Sequence, residues 1–238
     1  MARTPTPPTT EEEPGWQQRA LDRSLNAARE KSLARSSKFL ASAIELLNET
    51  GRVDFTVQNV VERSQLSLRA FYQHFGGKDE LVLAVFEELT GVFVESLAKS
   101  LDEIEDPFER LATYTRRFLE RAHESRESGG RALTIYLLHL ALDRPDDYAR
   151  ATSPQVELVE TMIKHGVGAE VFRTDIPTNA LAQLVNSTLV SFAQTDVFDM
   201  QTGAQVSPDH IWAWCETAVR PPTEGGTART ASGLRRKR

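Results

Sequence analysis

One stretch, Thr56 to Lys78 (TVQNVVERSQLSLRAFYQHFGGK), restricts the fold more than any other part of the chain. It reads as two short amphipathic segments meeting at Gln65-Leu66-Ser67. Val57, Val60 and Val61 fall at i, i+3 and i+4 in the first segment, and Phe71 and Phe75 at i and i+4 in the second. Each spacing predicts a helix with one apolar face. Thr56 and Ser67 stand where N-caps belong, with side-chain oxygens able to accept the first free backbone N–H groups. Two short helices joined this tightly cannot bury both faces alone and need a third helix behind them. That is the layout of a helix-turn-helix, whose second helix enters the major groove of DNA.

With Phe71 and Phe75 turned inward, Arg69, Tyr72 and Gln73 face outward and His74 lies toward one side. Arginine pairs with guanine edges and glutamine with adenine, while tyrosine, histidine and lysine reach phosphate oxygens. The candidate DNA-contacting set is Thr56, Ser67, Leu68, Arg69, Ala70, Tyr72, Gln73, His74 and Lys78. Periodicity by itself also fits a solvated polar face on an ordinary helical hairpin.

The run from Ser67 to Leu81, SLRAFYQHFGGKDEL, resembles the signature of the TetR family of bacterial transcription regulators. That signature is a serine, small residues and an apolar residue, then Tyr-x-His-Phe, two loop residues and Lys-[Asp/Glu]-x-Leu. Thr56 followed by Val60-Val61 sits where the family caps and packs its second helix. The resemblance covers about residues 35 to 85; beyond it only length and helical character agree. Two positions depart from the pattern. Ser64-Gln65 replaces the usual Ala-Gly of the turn, and Arg69-Ala70 the usual Gly-Thr after the serine. Gln65 lacks glycine's ease at positive φ, which predicts an altered turn, and the large cation at 69 means that no base preference is carried over.

Length and composition set wider bounds. At 238 residues the chain suits one small domain joined to a moderate one. It has no apolar run long enough for a membrane span, and its N-terminus shows no export signal, so a cytoplasmic location is expected. Cys215 is the only cysteine, which excludes an intrachain disulfide and is expected to be buried packing. The net charge of −6 looks wrong for a DNA-binding protein until its distribution is read. Arg19, Arg23, Arg29, Lys31, Arg35 and Lys38 crowd the N-terminal side, and Arg229, Arg235, Arg236, Lys237 and Arg238 the tail, while acid concentrates in runs such as Asp102–Asp106. DNA affinity follows the local basic surface rather than the sum.

Four regions are expected: a disordered and basic extension (1–30), a helix-turn-helix domain (31–80), a helical regulatory and dimerisation domain (81–220) and a disordered basic tail (221–238). Within the extension, a weakly amphipathic helix fits Trp16 to Arg35, with possible phosphate or minor-groove contacts to DNA. Ser36 or Ser37 is read as opening the first firm helix, which carries Phe39, Leu40, Ala43, Ile44 and Leu47 on one stripe and closes at Gly51. Further helices follow from Asp79 to about Ile104, from Pro107, from Ala132 to Leu142 and from Tyr148 onward, the last interrupted near Pro154. Two more run from Thr178 to Phe198 and from Ser207-Pro208 through Val219. No strand-like alternation of useful length appears, so the architecture is all-α.

Catalysis has no candidate residues. The five histidines lack metal-ligand spacing, and there is no phosphate-binding glycine loop, nucleophile elbow or HExxH, so no enzyme, metal or cofactor is expected. The family resemblance implies instead a small-molecule pocket and a homodimer in the larger domain. Polar or aromatic groups amid apolar helices nominate Tyr114, Phe118, Tyr136, His139, Met162 and Asn186 for a hydrophobic ligand, although ordinary packing within the core is the blander explanation of each. The resemblance assigns the dimer contact to the last two helices, with Leu189, Phe192, Trp212 and Trp214 as its candidates. The reading is a homodimeric repressor of a palindromic double-stranded DNA operator, released by a hydrophobic effector. Its rivals are a ligand-independent activator or architectural protein, and a helical interaction module that does not touch DNA.

Overall fold

The computed structural model describes residues 15–125, 129–197 and 206–222. Nine α-helices, and no strand, form among these residues. The first, α1 (Gly15–Thr50), runs for 36 residues without a break, about 54 Å at 1.5 Å per residue. The expected start at Ser36 or Ser37 is therefore corrected. Ser36 lies inside the helix, its hydroxyl donating to the Leu33 carbonyl rather than capping an N-terminus. Residues 15–30 are helical too, whereas residues 1–14 and the tail beyond 222 lie outside the described residues. The helix ends where Gly51 takes φ +63° and donates its N–H to the Leu47 carbonyl.

The next two helices are α2 (Val57–Ser64) and α3 (Leu68–Tyr72). Thr56 and Asn59 form a reciprocal capping box at the start of α2: the Asn59 N–H donates to Thr56 Oγ1 at 3.2 Å, and the Thr56 N–H to Asn59 Oδ1 at 2.8 Å. Ser67 caps α3 by accepting the Ala70 N–H at 3.1 Å. Between them Gln65 adopts the left-handed conformation (φ 55°, ψ 29°). The turn thus keeps the backbone that glycine would take easily, at a conformational cost that the flanking buried faces offset. Five residues make α3 shorter than the two turns expected, though the Phe75 N–H still bonds back to the Phe71 carbonyl.

The body is built from α4 (Lys78–Leu101), α5 (Pro107–Ser125), α6 (Gly130–Asp143), α7 (Pro145–Gly168), α8 (Thr178–Val197) and α9 (Pro208–Val219). Asp106 caps the start of α5, accepting the Glu109 N–H at 2.9 Å, and a Ser207–His210 capping box starts α9. Pro154 does not interrupt α7. A proline inside a helix removes one hydrogen-bond donor, but α7 is anchored on both sides of it, by Ala151 in one core and Val159, Met162 and Ile163 in another.

Those two cores organise the molecule. One joins α5, α7, α8 and α9 around Tyr114, Ile163, Leu181 and Leu189. The other centres on Phe39, Val60, Phe71 and Leu81 and takes in Leu133, Leu137 and Leu140 of α6. The three-helix head therefore shares a core with the body, and α4 leaves one and enters the other without a joint.

Candidate nucleic-acid interface and body cavity

The orientation of α3 is set by its aromatic residues. Phe71 is completely buried and Phe75 nearly so, both packed around Phe39 of α1. The Phe39–Phe71 rings meet edge to face at 5.4 Å and the Phe71–Phe75 centroids are 5.6 Å apart. This packing turns Arg69, Tyr72 and Gln73 outward: all three are exposed, Tyr72 by 57%. Thr56, Ser67 and Leu68 are exposed on the same head, and Ala70 and His74 are half-buried. Arg69 makes no ion pair or hydrogen bond through its side chain among the described residues, which leaves its guanidinium fork free. The head is braced from behind by Arg63, whose guanidinium donates to both carboxylate oxygens of Glu49 on α1 at 2.5 and 2.7 Å. That bidentate bond holds the Glu49 carboxyl below its usual range.

Lys78 is placed differently from the rest of the nominated set. Its ammonium donates to the Val53 carbonyl at 2.6 Å and lies 5.1 Å from the centre of the Phe55 ring and 5.5 Å from that of Tyr136. Partial burial lowers its pKa. The side chain stitches the α1–α2 loop to the start of α4 and to α6, an internal contact that uses one of the three ammonium donors.

A partly open cavity of about 460 Å³ lies in the body against α1. Its wall is supplied by α1 (Ile44, Leu47), α4 (Phe86, Leu89, Thr90, Phe93), α5, α6, α7 and α8. Of the six ligand candidates only Phe118 lies on this wall. Tyr114, Met162 and Asn186 are buried in the body core, away from the cavity lining. Burial raises the pKa of Tyr114 above its usual value, and its hydroxyl has no hydrogen-bond partner among the described residues. Tyr136 and His139 line a separate, shallower cleft with Arg52, Asp54 and Asp143. There the Tyr136 hydroxyl donates a short hydrogen bond to Asp79 Oδ1, and burial together with that carboxylate raises its pKa. A stripe on one helix is visible in a sequence; a hollow bounded by six helices is not, which is why Leu47, Thr90 and Tyr148 of the wall went unnominated.

The four dimer candidates also divide. Leu189 is completely buried and Trp212 is 9% exposed, both facing this chain's own core. Their expected place in a subunit contact is corrected accordingly. Phe192 is half-buried and Trp214 is 57% exposed, and with Leu184, also 56% exposed, they border an apolar surface cleft between α8 and α9. Cys215 is buried as expected, and burial pushes its thiol up to about 11. Among the described residues no group of acidic, histidine or cysteine side chains could hold a metal ion, and no helix is long and apolar enough to cross a membrane.

A capped helix pair whose second member buries two phenylalanines and presents arginine, tyrosine and glutamine defines the helix-turn-helix class of DNA-binding domain. Residues 39–85, most of the head and the start of α4, match the sequence model of the "Bacterial regulatory proteins, tetR family". The chain is 26% identical over 103 residues to the HTH-type transcriptional regulator BetI of Brucella anthropi, an alignment covering 43% of this chain and 53% of that protein. The match thus spans about half the length of its curated relative. The whole fold is similar to that of the regulator FadR from Bacillus subtilis in complex with stearoyl-CoA (TM-score 0.58, 15% identity, 76% of this chain and 94% of the other). It is also similar to that of RolR in complex with resorcinol (TM-score 0.60, 19% identity, 80% and 90%).

Proposed function

We propose that this chain is a homodimeric transcriptional repressor that holds a palindromic DNA operator through α3 and lets go when a small apolar molecule fills the body cavity. The observation that carries the DNA reading is the free, outward face of α3 on a packed phenylalanine base. Arg69 and Gln73 are assigned to base edges, Tyr72 and the exposed caps Thr56 and Ser67 to the phosphate backbone.

The effector reading is supported by a cavity within the usual size range of ligand sites, roughly 300–1,000 Å³, and by two fold neighbours solved with small organic molecules. It is supported also by who builds the wall. Ile44 and Leu47 lie on α1 within two helical turns or so of Phe39, the residue that seats α3, and Phe86 and Leu89 lie on α4. A molecule in the cavity thus touches both helices that carry the head. Displacing either shifts the two recognition helices of a dimer relative to one another, and DNA affinity falls by linkage. A ligand-independent architectural role has no use for such a hollow.

The exposed Leu184 and Trp214, with Phe192, supply an apolar surface for a second subunit on α8 and α9. The test begins with selection of a binding sequence from a random duplex pool, followed by gel shifts of the intact chain. A two-fold repeated motif, bound by a species of twice the chain mass in sedimentation, is expected. A monomer that shows no sequence preference would remove the proposal.

A further inference from the structure

The charge on the cavity wall is unbalanced. Arg121 of α5 is the only charged side chain among the described lining residues, and no aspartate or glutamate joins it. Its guanidinium has no ion-pair or hydrogen-bond partner among the described residues, although most other arginines of the body are engaged, as Arg116 is with Asp209 and Arg173 with Asp175. Two hydroxyls on the same wall are equally idle. Thr90 is 5% exposed and Tyr148 half-buried, and neither side chain donates or accepts a hydrogen bond in the described structure. Most residues around them are apolar, with Phe86, Phe93 and Phe118 offering ring faces and edges.

We infer that the effector is an apolar-bodied monoanion, a carboxylate on an aryl or alkyl frame, whose charged end meets Arg121 at the exposed rim while its body lies among the phenylalanines. This rests on the reading of the cavity as the effector site and narrows the class of molecule it takes. A carboxylate entering an apolar hollow loses hydration and needs a cation to meet it; arginine does so with two parallel N–H donors. A cationic ligand would meet Arg121 as a like charge, with no carboxylate on the described wall to offset it. A neutral molecule gains the apolar contacts but leaves the guanidinium unused. Thr90 and Tyr148 add donors for a second polar group along the body of the ligand.

Three compounds of one skeleton separate these cases: 4-phenylbutyrate, 4-phenylbutanol and 4-phenylbutylamine, titrated calorimetrically into the full chain. The carboxylate is expected to bind about ten-fold tighter than the alcohol, and the amine weakest. In Arg121→Gln the carboxylate should lose that advantage while the alcohol keeps its affinity within about two-fold. Arg117→Gln, an exposed arginine one turn away that does not line the cavity, should keep it. Equal affinity of alcohol and carboxylate, a preference that survives Arg121→Gln, or tightest binding of the amine overturns the charge assignment and leaves the effector site standing. No binding of any of the three overturns both.

Discussion

The outer face of α3 and the cavity in the body are built by opposite rules. On and just after α3, three residues of one short segment, Arg69, Tyr72 and Gln73, face outward together, and their directions follow from two phenylalanines four positions apart. In the cavity, no single segment supplies the wall. Its wall draws a few side chains from each of six helices, at positions up to about 150 apart, and its form depends on how those helices cross. The first surface is local and outward, so it is decided by helical period; the second is non-local and inward, so it is decided by packing.

If that contrast is correct, substitutions should sort by it. The largest effect is expected for Phe71→Ala, which deletes a fully buried ring and should cost about 3–5 kcal/mol in chemical denaturation, together with all operator binding. Because the head core includes α6, the loss should appear in one cooperative transition rather than in a separate melting of the head. Gly166→Ala comes next. An added Cβ would stand 2.2 Å from Cδ2 of Phe172, and about 1–3 kcal/mol of stability should be lost as that ring is displaced, with operator sequence preference unchanged. Arg69→Ala reverses the pattern: thermal stability within error of the parent chain, but about 1–3 kcal/mol of discrimination lost at one base pair.

Tyr136→Phe sits between the two regions. It removes the hydroxyl that bonds Asp79, at a stability cost of about 1 kcal/mol since the pair is partly solvated. Its sharper readout is the ligand concentration needed for operator release, which should shift because the head–body contact is loosened. The smallest effect concerns Cys215. Its thiol, pushed up to about 11 by burial, should react with a disulfide reagent at pH 8 only as fast as the protein opens. The sign follows from the raised value: the unfolded thiol ionises near pH 8.5 while the folded one stays protonated, so this group's contribution to stability is complete below that pH and declines above it. Comparing Cys215→Ala with the parent chain between pH 7 and 10 isolates that decline.

The head was legible because each signal acted over one or two turns. Thr56 and Ser67 cap the helices they precede, and Phe71 and Phe75 bury on the same side. Even the anomaly at Gln65 was resolved locally: the turn geometry prevails over the residue's preference. The start of α1 was misread for the complementary reason. Ser36 has the chemistry of a cap, but its oxygen bonds backward into a helix that is already running. The internal contact of Lys78 was not legible, because the fold brings the Val53 carbonyl to it across 25 positions. For α8 and α9 the sequence showed two apolar faces but not which one meets the chain's own core. The fold gives that side to Leu189 and Trp212 and leaves Leu184 and Trp214 outside.

The most direct measurement compares the parent chain with the double variant Arg69→Ala/Gln73→Ala on a selected operator duplex, across a series of salt concentrations. Both side chains are exposed, so the variant should keep the parent's melting curve. The expected result is a steep salt dependence for the parent, and for the variant an affinity that drops to the level of random duplex at every salt concentration. Unchanged operator affinity in a folded variant would mean that the outward side of α3 does not read DNA.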